Sequence, residues 1–177
     1  MSLPLKGKHV AVLLEEGFED LEFWVTVMRL QEAGAVVAIV GVEANKTVRG
    51  KNALSATSEV AAGAVRPEDF DALVVPGGWA PDKLRRYDSI KALVRGVYAQ
   101  GKIVGLICHA GLVAISAGII PRGSRATGSL GIKDDLVNAG AVWTDEAAFR
   151  DGQLVWGRVV ADIPAFCREL VAAIEKP

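Results

Sequence analysis

Thiols and imidazoles are scarce in this chain. Its 177 residues hold two cysteines, Cys108 and Cys167, and two histidines, His9 and His109. The cysteines lie in very different contexts, which argues against a disulfide framework and for free thiols in a reducing, cytoplasmic setting. Cys108 and His109 are adjacent and no second His or Cys is positioned to complete a ligand set, so a metal site is not expected. Neither sign of charge dominates: the formal net charge is −1, which offers no basic surface for nucleic acid. No apolar run approaches the ~20 residues that span a bilayer. The N-terminus MSLPLKGKHV lacks the apolar centre of a signal peptide. Neither G-x-G-x-x-G nor a P-loop follows the first apolar run. The acidic EEGFED there would repel phosphate, so no nucleotide cofactor, and no other cofactor, is expected. Internal repeats, low-complexity tracts and Pro/Gly/Ser linkers are also absent. The expectation is one domain over residues 1–177 with no membrane partner.

What is present is core. Half the residues are hydrophobic, enough for a chain of this length to bury a substantial interior. β-Branched runs at HVAVLL (9–14), VVAIVGV (36–42), DALVVP (71–76) and KIVGLI (102–107) read as buried strands. Between them, Leu21, Trp24, Val25 and Met28 recur at i, i+3, i+4 and i+7, one face of a helix that Asp20 can cap. Ile90, Leu93, Val94, Val97 and Tyr98 mark a second helix, and an apolar one starts at His109. Lys133 to Gly140 reads as a short helix, and Ile163 to Ile174 as a last amphipathic one. DGQ (151–153) sits at a hairpin turn between AAFR and LVWG. The more polar segment 42–63 reads as a hairpin or irregular excursion. Alternation of this kind predicts a doubly wound α/β sandwich of flavodoxin-like type, a parallel sheet covered on both faces.

Sites in such sheets form beyond the carboxyl ends of the strands. Three loops therefore converge: EEGFEDLE, PGGWAP and CHAG. Cys108 falls on a strand-to-helix turn, the geometry of a nucleophile elbow, and small Ala110 and Gly111 leave it room. A helix N-terminus favours thiolate and is expected to lower the thiol pKa. A free cysteine at a strand end is usually a small buried hydrophobe; the helix start and the neighbouring imidazole tip Cys108 the other way. Cys167 keeps the structural role, on the apolar stripe of the last helix. Helix neighbours do not face each other, so His109 meets the sulfur only if the turn is strained. Asp82 is a candidate to orient the imidazole. Gly77 and Gly78 offer unobstructed amides for an oxyanion. Five carboxylates stand at 15, 16, 19, 20 and 22. Most read as a solvated, helix-capping cluster, whereas Glu22 faces the sheet end, where like charge and burial near a thiolate raise its pKa.

Taken together, EGFEDLE (16–22), FDALVVPGGWAPDKLR (70–85), ICHAGLVAISAG (107–118) and GIKDDLVNAGAVW (131–143) resemble the DJ-1/PfpI superfamily. The likeness is to its PfpI-like intracellular protease and general stress protein branch, and it covers nearly the whole chain. It implies a flavodoxin-like fold and a homodimer or larger homo-oligomer. It implies Cys108 as nucleophile, with the Glu22 carboxyl against its sulfur and His109 as the triad histidine. Asp82 fits a position where that branch has Glu, supplied by a neighbouring subunit. The amides of Gly78 and His109 would line the oxyanion site. The chain departs from the branch at Asp82, one methylene shorter. It also departs at His109-Ala110-Gly111 in place of His-Gly-Pro, at Ser129 in place of an aromatic or histidine, and in VWGRVVAD, which lacks Ser-Arg-x-Pro. The expected function is a stress-response protein whose Cys108 attacks small electrophilic carbonyls, glyoxalase- or deglycase-like, or peptides. The alternative is a redox sensor or chaperone that works through oxidation of Cys108.

Overall fold

Runs of Val, Ile, Leu and Ala pack well on a pleated, two-sided surface, and such runs form the centre of this protein. The computed structural model describes residues 3–177. The first half runs β1 (His9–Leu13), α1 (Asp20–Glu32), β2 (Val36–Gly41), β3 (Thr47–Arg49), β4 (Ser55–Thr57), β5 (Val60–Ala61) and β6 (Ala72–Val75). It continues with α2 (Ala80–Leu84), α3 (Asp88–Ala99), β7 (Ile103–Ile107) and α4 (Gly111–Ala117). The last part is β8 (Arg125–Ala126), α5 (Lys133–Asn138), β9 (Val142–Trp143), β10 (Ala148–Asp151), β11 (Leu154–Gly157) and α6 (Ile163–Glu175).

Seven strands form one sheet in the order β10-β11-β7-β6-β1-β2-β5. Every pairing in it is parallel except the β10–β11 hairpin. Helices α1 and α6 pack together on one face, and α3 and α4 on the other. Every residue of β6 and β7 is buried, as a strand covered on both faces must be. This is the expected doubly wound α/β sandwich.

Segment 42–63 is the predicted hairpin, β3 with β4, followed by β5, an edge strand of the main sheet that periodicity did not reveal. The amphipathic assignments of α3 and α6 hold: Ile90, Leu93, Val94 and Val97 are buried, as are Ile163, Phe166, Cys167, Leu170, Val171 and Ile174.

Helix α1 differs from expectation. Its buried side carries Glu22, Phe23, Thr26, Val27 and Leu30. The stripe chosen from the sequence faces outward, with Leu21, Val25 and Met28 between 40 and 59 % exposed. The helix is apolar on two faces, so periodicity alone did not separate them. Asp20 does not cap it either; the Glu19 carboxylate accepts the Glu22 N–H at 2.9 Å.

The order reverses at β1: the chain leaves it for β2 on one side and later returns to β6 on the other. Crevices for ligands open at such reversals. The β1–α1 and β6–α2 loops meet there, joined by the Phe18–Gly78 bridge. The Glu19 N–H donates to the Gly77 carbonyl at 3.0 Å, and the Trp79 N–H to Gly17 at 2.8 Å.

Candidate active site

Cys108 follows β7 directly, with φ of +62°. The left-handed region costs a non-glycine residue roughly 1 kcal/mol, and the surroundings hold it there. The Cys108 carbonyl accepts the Ser129 N–H at 3.0 Å. Gly128 backs the same carbonyl so closely that a Cβ on it would come within 2.6 Å. The chain then makes a tight turn over 108–110 before α4 begins at Gly111.

The strained turn answers how adjacent residues can meet. His109 Nδ1 lies 3.2 Å from Cys108 Sγ, a contact that regular helical geometry would forbid. Burial, and then the charge of Lys51, lower the His109 pKa, so the ring is neutral at pH 7.

Glu22, on the first turn of α1, is fully buried. Its Oε2 accepts the Gly77 N–H at 2.8 Å, its Oε1 has no partner, and the carboxyl stands beside the Cys108 sulfur. Burial raises its pKa from 4.5 to about 7; the Gly77 N–H opposes the rise and Glu19 adds to it. Burial and the Glu22 charge likewise push the Cys108 thiol up to about 12, against the pull of the Gly78 and His109 amides. The expectation of a dipole-lowered thiol is therefore corrected. Helix α4 has seven residues, and its field is outweighed by desolvation and the adjacent carboxylate.

Glu22 and Cys108 titrate as one unit. The pair gives up a first proton near pH 7 and a second near 12. Between those limits it carries one negative charge and one proton. A thiolate beside a carboxylic acid has the same charge as a thiol beside a carboxylate; the Gly78 and His109 amides favour the thiolate, and the Gly77 N–H favours the carboxylate.

Gly77 needs its missing side chain. A Cβ there would lie 2.5 Å from Glu22 Oε2, 2.6 Å from Cys108 Cβ and 3.1 Å from the His109 nitrogen. Its amide is committed to Glu22, which removes it from the expected oxyanion donors; the amides of Gly78 and His109 are the ones directed at the sulfur. Asp82 is not brought to His109 within this chain. It pairs with Arg86 on the surface of α2, its side chain 56 % exposed.

The acidic loop is not a solvated cluster. Glu15, Glu19, Asp20 and Glu22 are buried. Asp20 accepts the N–H groups of Asn52 and Leu54, each at 2.7 Å, and Glu19 accepts Asn52 Nδ2 at 3.1 Å. These bonds pin the β3–β4 tip against the site and bring in Lys51, which the sequence did not single out. Its only local sign was G-K-N, a turn composition. Among the described residues, no three His, Cys, Asp or Glu side chains are grouped as metal ligands.

A doubly wound α/β fold with a strained cysteine elbow at the sheet's carboxyl edge defines a class; comparison with known proteins narrows it. The pattern of the DJ-1/PfpI family matches residues 8–173, and the chain belongs to that family. It is 40% identical over 166 residues to a deglycase of Pyrococcus horikoshii, covering 94% of this chain and 99% of the relative. It is 39% identical over 175 residues to general stress protein 18 of Bacillus subtilis, covering 96% and 99%. A crystal structure of a two-domain protein from Anabaena variabilis, with DJ-1/ThiJ/PfpI-like and ferritin-like domains, superposes with a TM-score of 0.91 at 37% identity. That match covers 93% of this chain and 47% of the two-domain protein, so the chain spans about half its length.

Proposed function

We propose that this protein is a cysteine-dependent enzyme acting on small electrophilic carbonyl compounds, of glyoxalase or deglycase type. The observation that carries this is the left-handed Cys108 elbow, with its sulfur 3.2 Å from His109 Nδ1 and beside the buried Glu22. The names of the deglycase and stress-protein relatives support the same reading. Cys108 Sγ adds to the aldehyde carbon, a C–S bond forms, and the carbonyl π pair becomes an alkoxide. The amides of Gly78 and His109 hold that oxygen, and the proton kept by Glu22 passes to it. With an α-oxo aldehyde, neutral His109 moves the former aldehyde hydrogen to the neighbouring carbon. The result is a thioester of a 2-hydroxy acid, which water hydrolyses to the acid and the free thiol.

The test is turnover of methylglyoxal to lactate by wild type and Cys108→Ser. Turnover is expected to vanish in the variant; full retention sinks the proposal. Peptide hydrolysis would need an imidazole orienter, and Asp82 pairs with Arg86 instead, so a small carbonyl is preferred to a peptide. One observation favours a second reading, a redox sensor. The unpartnered Glu22 Oε1 beside the sulfur could bond an oxygen of oxidised Cys108. Peroxide-selective modification of Cys108 without carbonyl turnover would favour it.

We also propose that the protein self-associates through α1. Leu21, Trp24, Val25, Met28 and Leu54 line a groove of about 460 Å³ with Ser55 as its one polar residue. An uncharged face pairs with its own copy about a two-fold axis without charge repulsion. A cytoplasmic setting belongs to the proposal as well, resting on two free thiols; no helix among the described residues is long and apolar enough to cross a membrane.

A further inference from the structure

The tip of the β3–β4 hairpin is built with unusual care for an exposed turn. The Lys51 N–H donates to the Phe18 carbonyl at 2.8 Å, and Phe18 is the residue bridged to Gly78. Lys51 is thus tied through one residue to the loop whose amide faces the Cys108 sulfur. Asp20, almost fully buried, accepts the amides of Asn52 and Leu54, which follow Lys51. Gly50 lies so close that a Cβ on it would meet the Asp20 carboxylate at 2.5 Å. Ala53 is held at φ of +81°, a strained conformation for a residue with a side chain. The result is a tip whose backbone is pinned beside the loop that carries Gly78, with the Lys51 side chain exposed.

That cation has no ion partner among the described residues. It is exposed, as is Glu16, whose carboxylate accepts the Arg49 N–H at 2.9 Å, whereas Glu15, Glu19, Asp20 and Glu22 are buried. Its charge reaches both Glu22 and His109. A positive charge without an ion partner among the described residues, on a tip tied through Phe18 to the Gly78 loop, is placed to meet something negative that arrives from solvent. We propose that Lys51 is a specificity-determining residue that receives the anionic group of the substrate, so that the site selects carbonyl compounds carrying a carboxylate. An α-oxo aldehyde with a terminal carboxylate fits this class. The inference rests on the reading of Cys108 as the nucleophile and deepens it.

The test uses two alkylating probes of nearly equal size, iodoacetate and iodoacetamide, on the full protein with Cys167→Ser as background. The rate ratio of anionic to neutral reagent at Cys108 is compared with the same ratio for glutathione. Wild type is expected to favour iodoacetate by roughly threefold over the glutathione ratio, the order of magnitude of a single charge pair in water. Lys51→Met should abolish that preference, Lys51→Arg should keep it, and about 1 M salt should erase it in wild type. A Lys51→Met ratio equal to that of wild type overturns the inference while leaving Cys108 as the nucleophile. A Cys108 inert to both reagents overturns both readings. In turnover, kcat/KM for 4,5-dioxopentanoate should exceed that for its methyl ester, and Lys51→Met should lose the excess mainly through KM. If neither compound is turned over but the alkylation ratio behaves as stated, the charge preference stands and the carbonyl-enzyme reading falls.

Discussion

Replacing Glu22 by Gln should stabilise this protein in a way that depends on pH. Gln keeps an acceptor for the Gly77 N–H and can place an N–H₂ toward the sulfur, so the packing is conserved and one ionisable proton is removed. The Glu22 pKa rises from 4.5 to about 7 on folding. Below about pH 4.5 both folded and unfolded chains hold that proton, and the carboxyl gives no penalty. As pH rises through the interval the unfolded chain ionises first, so the native state loses ground until the folded carboxyl also ionises near 7. At about 1.4 kcal/mol per pH unit, the penalty reaches about 3 kcal/mol above pH 7. Glu22→Gln should therefore match wild type near pH 4 and exceed it by about 3 kcal/mol at pH 8. In a domain of this size that is roughly 6–12 °C in Tm. Urea unfolding at the two pH values, at one fixed protein concentration, measures it. An equal stability difference at both values, or a variant less stable at pH 8, refutes the reasoning. Loss of carbonyl turnover in this more stable protein is expected, because the acid that returns the proton is gone.

Gly77→Ala should lower stability by about 2–3 kcal/mol through overpacking and slow Cys108 alkylation, since its methyl would enter the space between Glu22, Cys108 and the His109 amide; unchanged alkylation would show that the slot is not tight. Ala53→Gly should raise stability by up to about 1 kcal/mol, because an exposed alanine at φ of +81° gives up strain and no buried contact; calorimetry reads it, and a lower Tm contradicts it. Met28→Glu should shift sedimentation toward the monomer by placing like charges across the proposed α1 interface; an unaltered sedimentation coefficient rules that interface out.

The fold was legible because its strands are continuous apolar runs with clear ends. The runs at 9–14, 36–42, 71–76 and 102–107 correspond to β1, β2, β6 and β7, and DGQ turns β10 into β11. β5, β8 and β9, each two residues long, carry too little pattern to be seen. Helix α1 shows where periodicity stops being informative. It has an inward apolar face of Phe23, Val27 and Leu30 and an outward one of Leu21, Val25 and Met28. A stripe reports that a face avoids water, not which neighbour covers it. The more regular stripe was the exposed one.

The site was legible as a set of residues and illegible as a state of charge. Position follows from topology: any chain that places CHAG after β7 and PGG after β6 brings them to one edge. Charge follows from a competition that no motif encodes. A helix N-terminus lowers a thiol pKa when the thiol is wet and the helix long, but here seven residues of helix are set against burial and a carboxyl beside the sulfur. The outcome is a pair that gives up one proton near pH 7 and keeps the other, between Glu22 and Cys108, until about 12. On the proposed function, sharing gives the buried carboxyl a role that offsets its cost. An isolated thiolate at this place would lack a proton donor at the moment a carbonyl oxygen becomes an alkoxide. In the proposed reaction Glu22 would supply one from the thiol's own proton, so nucleophile and acid would arise in a single transfer with no exchange with solvent. Asp20 and Glu19 enter the same logic from the other side. Their oxygens hold the hairpin tip that brings Lys51 near. Three carboxylates of one loop thus divide between holding a proton, Glu22, and holding the hairpin tip, Asp20 and Glu19, a division visible only once their hydrogen bonds are traced.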